Sequence, residues 1–296
     1  MNLTTLGVGI ASGLGEGSLY ALLALSFSLI VASTGYFNFA LESVVALGGI
    51  GAYYLEQGAN MPVAPVVIIL CVGGAIAGVL IDLIAHRPLE ARADDVAASV
   101  LLATIGLSFA VDGGTGVIFG ASPRAVPPYV ATSPVMLGGV AVAPWYIVSV
   151  ALMIVTVTAM ELVLRRTVIG LSLRAMQADR EGIALLGQNV NAATALVFAL
   201  AGVLAIVVGF LATPLTQASS QTGQTLLIPA FAALALGGFG SFRGAIAGGV
   251  LIGLVEGMLP LYVTPAAVNP ILLVVIIAVL VARPRGLFAS SQFREL

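Results

Sequence analysis

Long apolar runs, separated by short polar stretches that carry the arginines, set the layout of this chain. A bilayer core about 30 Å thick takes roughly 20 apolar residues as a helix. Leu6–Ala32, Pro62–Ile84, Val96–Phe119, Ala143–Leu164, Ala192–Leu211, Gly244–Leu261 and Pro265–Val281 meet or approach that length. Tyr36–Leu55 and Leu226–Gly238 are shorter or broken by glycine. The pattern predicts an all-α polytopic membrane protein with eight or nine transmembrane or half-membrane helices. Arg87, Arg92, Arg165, Arg166, Arg174, Arg180, Arg243, Arg283, Arg285 and Arg294 fall between or after the spans on one side, and only Arg124 falls on the other. The positive-inside rule then puts the C-terminus in the cytoplasm and, with nine segments, the N-terminus outside. Trp145 and Tyr146 are expected at the outer interface as aromatic anchors.

Composition strengthens this reading. Of 296 residues 60% are hydrophobic and 8% charged, against roughly 25% charged in a soluble domain. So few charges cannot cover a soluble fold of this length, whereas in lipid the outer surface is apolar. The net charge of -2 argues for no nucleic acid or other charged partner. Every basic residue is arginine, and Cys71 is the single cysteine, so no internal disulfide can form. The N-terminal segment lacks a basic start and runs long before a polar break, which predicts no removable signal peptide.

The longest cytoplasmic stretch, Arg165–Asn191, is polar and predicts a short helix over Leu171–Leu186, with Gly187 at its C-cap. It is either a partner-docking element or a solvated connector. Gly249, Gly253 and Gly257 repeat every four residues, as do Gly74 and Gly78. Small residues at that spacing let helices approach closely, as ordinary packing or as sliding or subunit surfaces. Glycine-interrupted segments follow a full span in each half, and such a pair points to a transporter site.

Glu16, Glu42, Asp112 and Glu256 lie in or near apolar segments, where an acid is costly and is either satisfied by a neighbouring helix or functional. Asp112, flanked by Gly113 and Gly114, is expected near a helix break. Asn38 and Glu42, four residues apart on an interrupted helix, are expected on one face. Asn38 can donate and accept, which suits a zwitterion or an amide. His86, the sole histidine, is expected in an interfacial loop beside Arg87 and Pro88. One His and one Cys cannot build a metal cluster, a Ser-His-Asp arrangement is not credible, and without lysine there is no P-loop.

Several stretches carry a resemblance. GSLYALLALSFSLI (17–30), TGYFNFA (34–40), LLATIGLSF (101–109), LRAMQADREGIALLGQNV (173–190), FAALALGGFGSFRGAIAGGVLIGLVEG (231–257) and RPRGLF (283–288) run in order through nearly the whole chain. On these the chain resembles the permease subunits of branched-chain amino-acid (LIV-type) ABC importers. One departure stands out: the family usually continues NFA with His-Gly, and here Leu41 and Glu42 follow.

The resemblance implies a single permease domain over 1–296 in the bacterial inner membrane, multi-pass, importing small amino acids of branched-chain type or related amides, with urea and aromatic acids as further options. It implies no cofactor in this chain, with ATP bound by two separate ABC ATPase subunits. Further partners implied are a homologous second permease subunit and an extracytoplasmic substrate-binding protein. It makes 165–191 the cytoplasmic coupling loop, with Arg174, Asp179, Arg180, Glu181 and Gly187 on the helix that docks into the ATPase. Asn38, Glu42 and Tyr20 are the expected pathway residues, and Gly249, Gly253 and Gly257 the packing stripe. An ion-coupled secondary transporter of a small polar solute is the alternative. It requires an embedded acid that titrates and leaves the charged loop unexplained.

Overall fold

The structure is a computed structural model that describes residues 3–120, 122–130, 133–137, 139–178, 189–282 and 286. In chain order the helices are α1 (Leu3–Thr34), α2 (Leu41–Tyr53), α3 (Val63–Ile81), α4 (Arg87–Glu90), α5 (Val96–Phe119), α6 (Pro144–Arg166), α7 (Val168–Ala178), α8 (Val190–Thr216), α9 (Thr222–Gly237), α10 (Phe242–Met258) and α11 (Pro265–Ala282). Turns of π-helix extend α2 over Tyr54–Gly58 and α3 over Asp82–His86. Among the described residues, extended structure is confined to a small antiparallel hairpin, β1 (Val135–Leu137) with β2 (Val140–Val142), in which Met136 faces Ala141, and an isolated bridge between Arg124 and Ala218. The protein is thus an α-helical, polytopic membrane protein. Among the described residues, six segments are long and apolar enough to cross a bilayer: Thr4–Thr34, Val63–Glu90, Val96–Phe119, Pro144–Arg166, Val190–Thr216 and Phe242–Leu261. Thr222–Gly237 and Pro270–Val281 are apolar but shorter.

Helix ends follow local chemistry. Gly35, at φ +79°, takes the left-handed conformation that ends α1. Asp95, Asn189 and Ser241 cap α5, α8 and α10, each accepting from the backbone N–H three residues on. In lipid no water satisfies a stray hydroxyl. Ser18, Ser26 and Ser33 along α1 therefore donate back to the carbonyls of Gly15, Leu23 and Ile30 at 2.6, 2.7 and 2.9 Å.

The chain divides into two compact units. The first comprises Met1–Ser28, Pro127–Ile154 and Leu226–Leu296. Within it, the small-residue row Gly9, Gly13, Gly17 and Ala21 of α1 lies antiparallel against Gly257, Gly253 and Gly249 of α10. A Cβ on Gly13 would sit 2.6 Å from the carbonyl oxygen of Gly253, and one on Gly253 would collide with the backbone of Gly17. The sequence pattern displays the α10 row; its partner row on α1, interleaved with Ser12 and Glu16, is legible only once the helices are paired. Trp145 is 4% exposed and sits 5.2 Å from the Tyr129 ring, so it packs inside this unit.

The second unit comprises Leu29–Val126 and Val155–Thr225. Here α8 is the central element. Gly202 of α8 meets Gly74 of α3, Gly78 of α3 meets the Phe198 carbonyl, and Gly209 of α8 meets Val45 of α2, all backbone to backbone. With lipid as apolar as leucine, such close packing supplies the helix association that the hydrophobic effect cannot.

Candidate functional site

Polar groups of the second unit converge where four pieces of chain meet. The first is the non-helical link 35–40, which follows from Gly35. The second is the first turn of α2. The third is one face of α5, on which the buried residues Val100, Thr104, Ser108 and Asp112 recur every four positions. The fourth is the start of α9. Thr104 Oγ1 accepts from the backbone N–H of Phe39 at 3.2 Å and so pins the link to α5. Asn38 lies in the link, one turn before helix begins, and its Oδ1 accepts from Ala40 N–H at 2.9 Å. The expected shared helical face with Glu42 therefore does not form, because the backbone between Gly35 and Leu41 is not helical. The Asn38 side chain instead stands in for a backbone acceptor at the turn, and its buried Nδ2 has no hydrogen-bond partner among the described residues.

Glu42, 2% exposed, accepts from the Ser108 hydroxyl through Oε1. Asp112, 8% exposed, accepts from Gln224 Nε2 at 3.0 Å through Oδ2. The helix continues through Gly113 and Gly114 to Phe119, so the expected break at Asp112 is absent. Both glycines have open space where a Cβ would stand. The two carboxyl groups also contact each other. Ser108 and Gln224 are the polar partners that sequence reasoning missed; the i, i+4 spacing of Thr104, Ser108 and Asp112 is the signal that carries Ser108.

A second polar cluster closes the end of α3. Asp82, fully buried, accepts from Arg87 Nε at 2.7 Å and pairs with His86 Nδ1 at 3.1 Å. Arg87 also donates to the Asn191 carbonyl at the start of α8, at 2.8 Å. His86 is 1% exposed and belongs to the π-helical turn, not to an interfacial loop. The wider turn swings His86 inward, where its ring lies 5.3 Å from Phe198. Asp82, which hydropathy alone does not single out, is the residue that makes this possible.

At the other end of α2, Arg124 lies 5.2 and 5.3 Å over the rings of Tyr53 and Tyr54 and donates to the Phe119 carbonyl at 3.0 Å. The side-chain hydrogen bond with Tyr53 raises the Arg124 guanidinium above its ordinary value.

In the first unit, Tyr20 is 5% exposed and hydrogen-bonds Glu256. Glu16 and Glu256 line a cavity of about 890 Å3, together with Ser12, Tyr146 and the tip of the β1–β2 hairpin at Gly139. Tyr20 thus belongs to a different unit from Asn38 and Glu42. Gly249, Gly253 and Gly257 face α1.

Of the loop residues, Arg174 is exposed on α7 while Leu173 and Met176 are buried, which makes α7 two-faced. α7 begins three residues before the helix expected at Leu171. Asp179, Arg180, Glu181 and Gly187 lie outside the described residues. Among the described residues no group of three or more His, Cys, Asp or Glu could hold a metal ion.

Comparison with known proteins bears on the whole chain. Residues 9–281 match the family described as branched-chain amino acid transport system / permease component. The high-affinity branched-chain amino acid transport system permease protein BraD of Pseudomonas aeruginosa is 25% identical over 300 residues, covering 97% of both chains. The protein named LivH in Salmonella typhimurium, with the same description, is 23% identical over 303 residues and 96% of both chains. The probable branched-chain amino acid transport permease protein LivH of Methanocaldococcus jannaschii is 27% identical over 287 residues, covering 91% of this chain and 88% of that one. No solved structure matches. With the match running from the first helix to the last, this chain belongs to the family of permease components of branched-chain amino-acid transport systems, and is a transport subunit, not an enzyme.

Proposed function

We propose that the chain is the transmembrane permease subunit of an ATP-driven ABC importer for branched-chain or other small amino acids, or related amides. The observation that carries this reading is the family match over residues 9–281 on a chain with six membrane-length helices. The whole chain forms one permease domain of eight or nine membrane segments in the bacterial inner membrane, with the N-terminus outside and the C-terminus in the cytoplasm. Its partners are a homologous second permease subunit, two ABC ATPase subunits that bind the ATP, and an extracytoplasmic substrate-binding protein.

The loop 165–191 couples the permease to the ATPase. The two-faced α7, with Arg174 exposed opposite Leu173 and Met176, supports that role, and Asp179, Arg180, Glu181 and Gly187 complete the docking segment. Asn38, Glu42 and Tyr20 border the substrate pathway, in support of which all three are polar and almost fully buried.

The experiment is co-purification from the native host, followed by reconstitution with the partners that co-purify. ATP-dependent uptake of leucine, isoleucine or valine is expected, with amides and urea tested as competitors. Uptake that needs an ion gradient and no ATP, or a complex without an ATPase, would overturn the reading in favour of a secondary transporter.

A further inference from the structure

The Glu42–Asp112 contact poses a problem of donors and acceptors. Glu42 Oε1 is served by Ser108 and Asp112 Oδ2 by Gln224. The remaining oxygens, Glu42 Oε2 and Asp112 Oδ1, are buried and receive no conventional donor. Each carboxyl nevertheless has the other as a hydrogen-bonding neighbour. The approach to Oε2 from α9 is closed, since a Cβ on Gly223 would lie 2.6 Å from it and would collide with the Glu42 carbonyl. Among the described residues, the side chains that hydrogen-bond the two acids besides each other are Ser108 and Gln224, both neutral. Two ionised carboxylates facing each other away from water repel without compensation, and acceptor-only groups cannot hydrogen-bond one another.

We propose that Glu42 and Asp112 form a proton-binding site, a carboxyl–carboxylate pair that shares a single proton between Glu42 Oε2 and Asp112 Oδ1. The pair then carries one negative charge, and the proton ties the first turn of α2 to the middle of α5. A proton suits the space because it needs none beyond the hydrogen bond itself. The site stands whatever cargo the protein carries.

Infrared difference spectroscopy on the whole permease in lipid tests it. Wild type is compared with Glu42→Gln, Asp112→Asn and the double variant in the carboxylic-acid carbonyl region. Each single variant is expected to lose the same one-proton band, because an amide NH2 then donates to the surviving carboxylate. The double variant is expected to lose no more than either single. A double variant that loses twice the intensity means two independent acids, and single variants that lose nothing mean no shared proton; either overturns the site. A band present in choline chloride and absent in sodium chloride would place a metal cation between the oxygens, and also overturns it. Should the variants not insert, wild type with carbon-13 in glutamate or in aspartate side chains draws the same distinction. A shared-proton band responds to both labels, whereas isolated acids respond to one.

Discussion

Asp82 is the residue whose removal isolates the most. It is fully buried and serves both Arg87 and His86, and Arg87 in turn reaches the Asn191 carbonyl. Asp82→Ala removes the carboxylate that both share: Arg87 keeps the Asn191 carbonyl, and the buried imidazole is left with Glu90 Oε2 at 3.8 Å. Truncating one partner of a buried charged pair costs about 3–5 kcal/mol, and the 30% exposure of Arg87 brings the expected loss here to about 2–3 kcal/mol. Asp82→Asn retains one acceptor oxygen and is expected to lose about half as much. Unfolding midpoints of the detergent-solubilised protein check both. The sequence hides this role because Asp82 sits two residues from the end of its apolar run, beside the polar stretch that opens with His86 and Arg87, where an acid is ordinary. Only the π-helical turn brings Asp82, His86 and Arg87 to one point. Glu42, by contrast, stands out in sequence as an acid in an apolar segment. Of the polar partners of the two acids, Ser108 is legible only through the i, i+4 row of Thr104, Ser108 and Asp112, and Gln224 carries no comparable signal.

At the scale of elements, apolar runs translate directly into helices, because in lipid every backbone group must be satisfied within the segment. Val96–Phe119 is helical from end to end, as its run of apolar residues predicts. Boundaries set by a single backbone conformation are less legible: Gly35 breaks the chain between α1 and α2, and nothing in TGYFNFA tells a loop from a helix start. The α1–α10 pair gives the sharpest element-scale test. Gly253→Leu forces a side chain into the backbone of α1 at Gly13 and Gly17. Overpacking costs about 1–3 kcal/mol where side chains can yield, and here backbone must yield, so a loss at or above the upper end is expected. Gly113→Ala, on a helix face with open space, is expected to change stability by less than about 1 kcal/mol, toward stabilisation. Recovery of monodisperse protein and its unfolding midpoint separate the two. Equal losses would remove the distinction between a packed and an open glycine.

At the scale of the whole molecule, arginine placement predicts a membrane orientation with Arg124 opposite the rest. Single cysteines at positions 124 and 180 in a Cys71→Ser background are expected to react with an impermeant thiol reagent from opposite faces of sealed vesicles. Labelling of both from one face would refute the topology. Which segments belong together was beyond the reach of the hydropathy pattern, because periodicity reports the face of a helix and not its partner. The first unit gathers the start, the middle and the end of the chain, and this has a consequence for how the protein is made. Gly17 and Gly253 meet across about 230 residues of chain, and a ribosome adding 5–20 residues per second takes roughly 10–50 s to bridge that gap. Through that interval α1 waits in the bilayer with its row of glycines facing lipid or the insertion machinery, while α2 to α9 are still being delivered. Synthesis order and packing order therefore diverge: the second unit, whose last residue is Thr225, has all its helices available before α10 emerges to close the first.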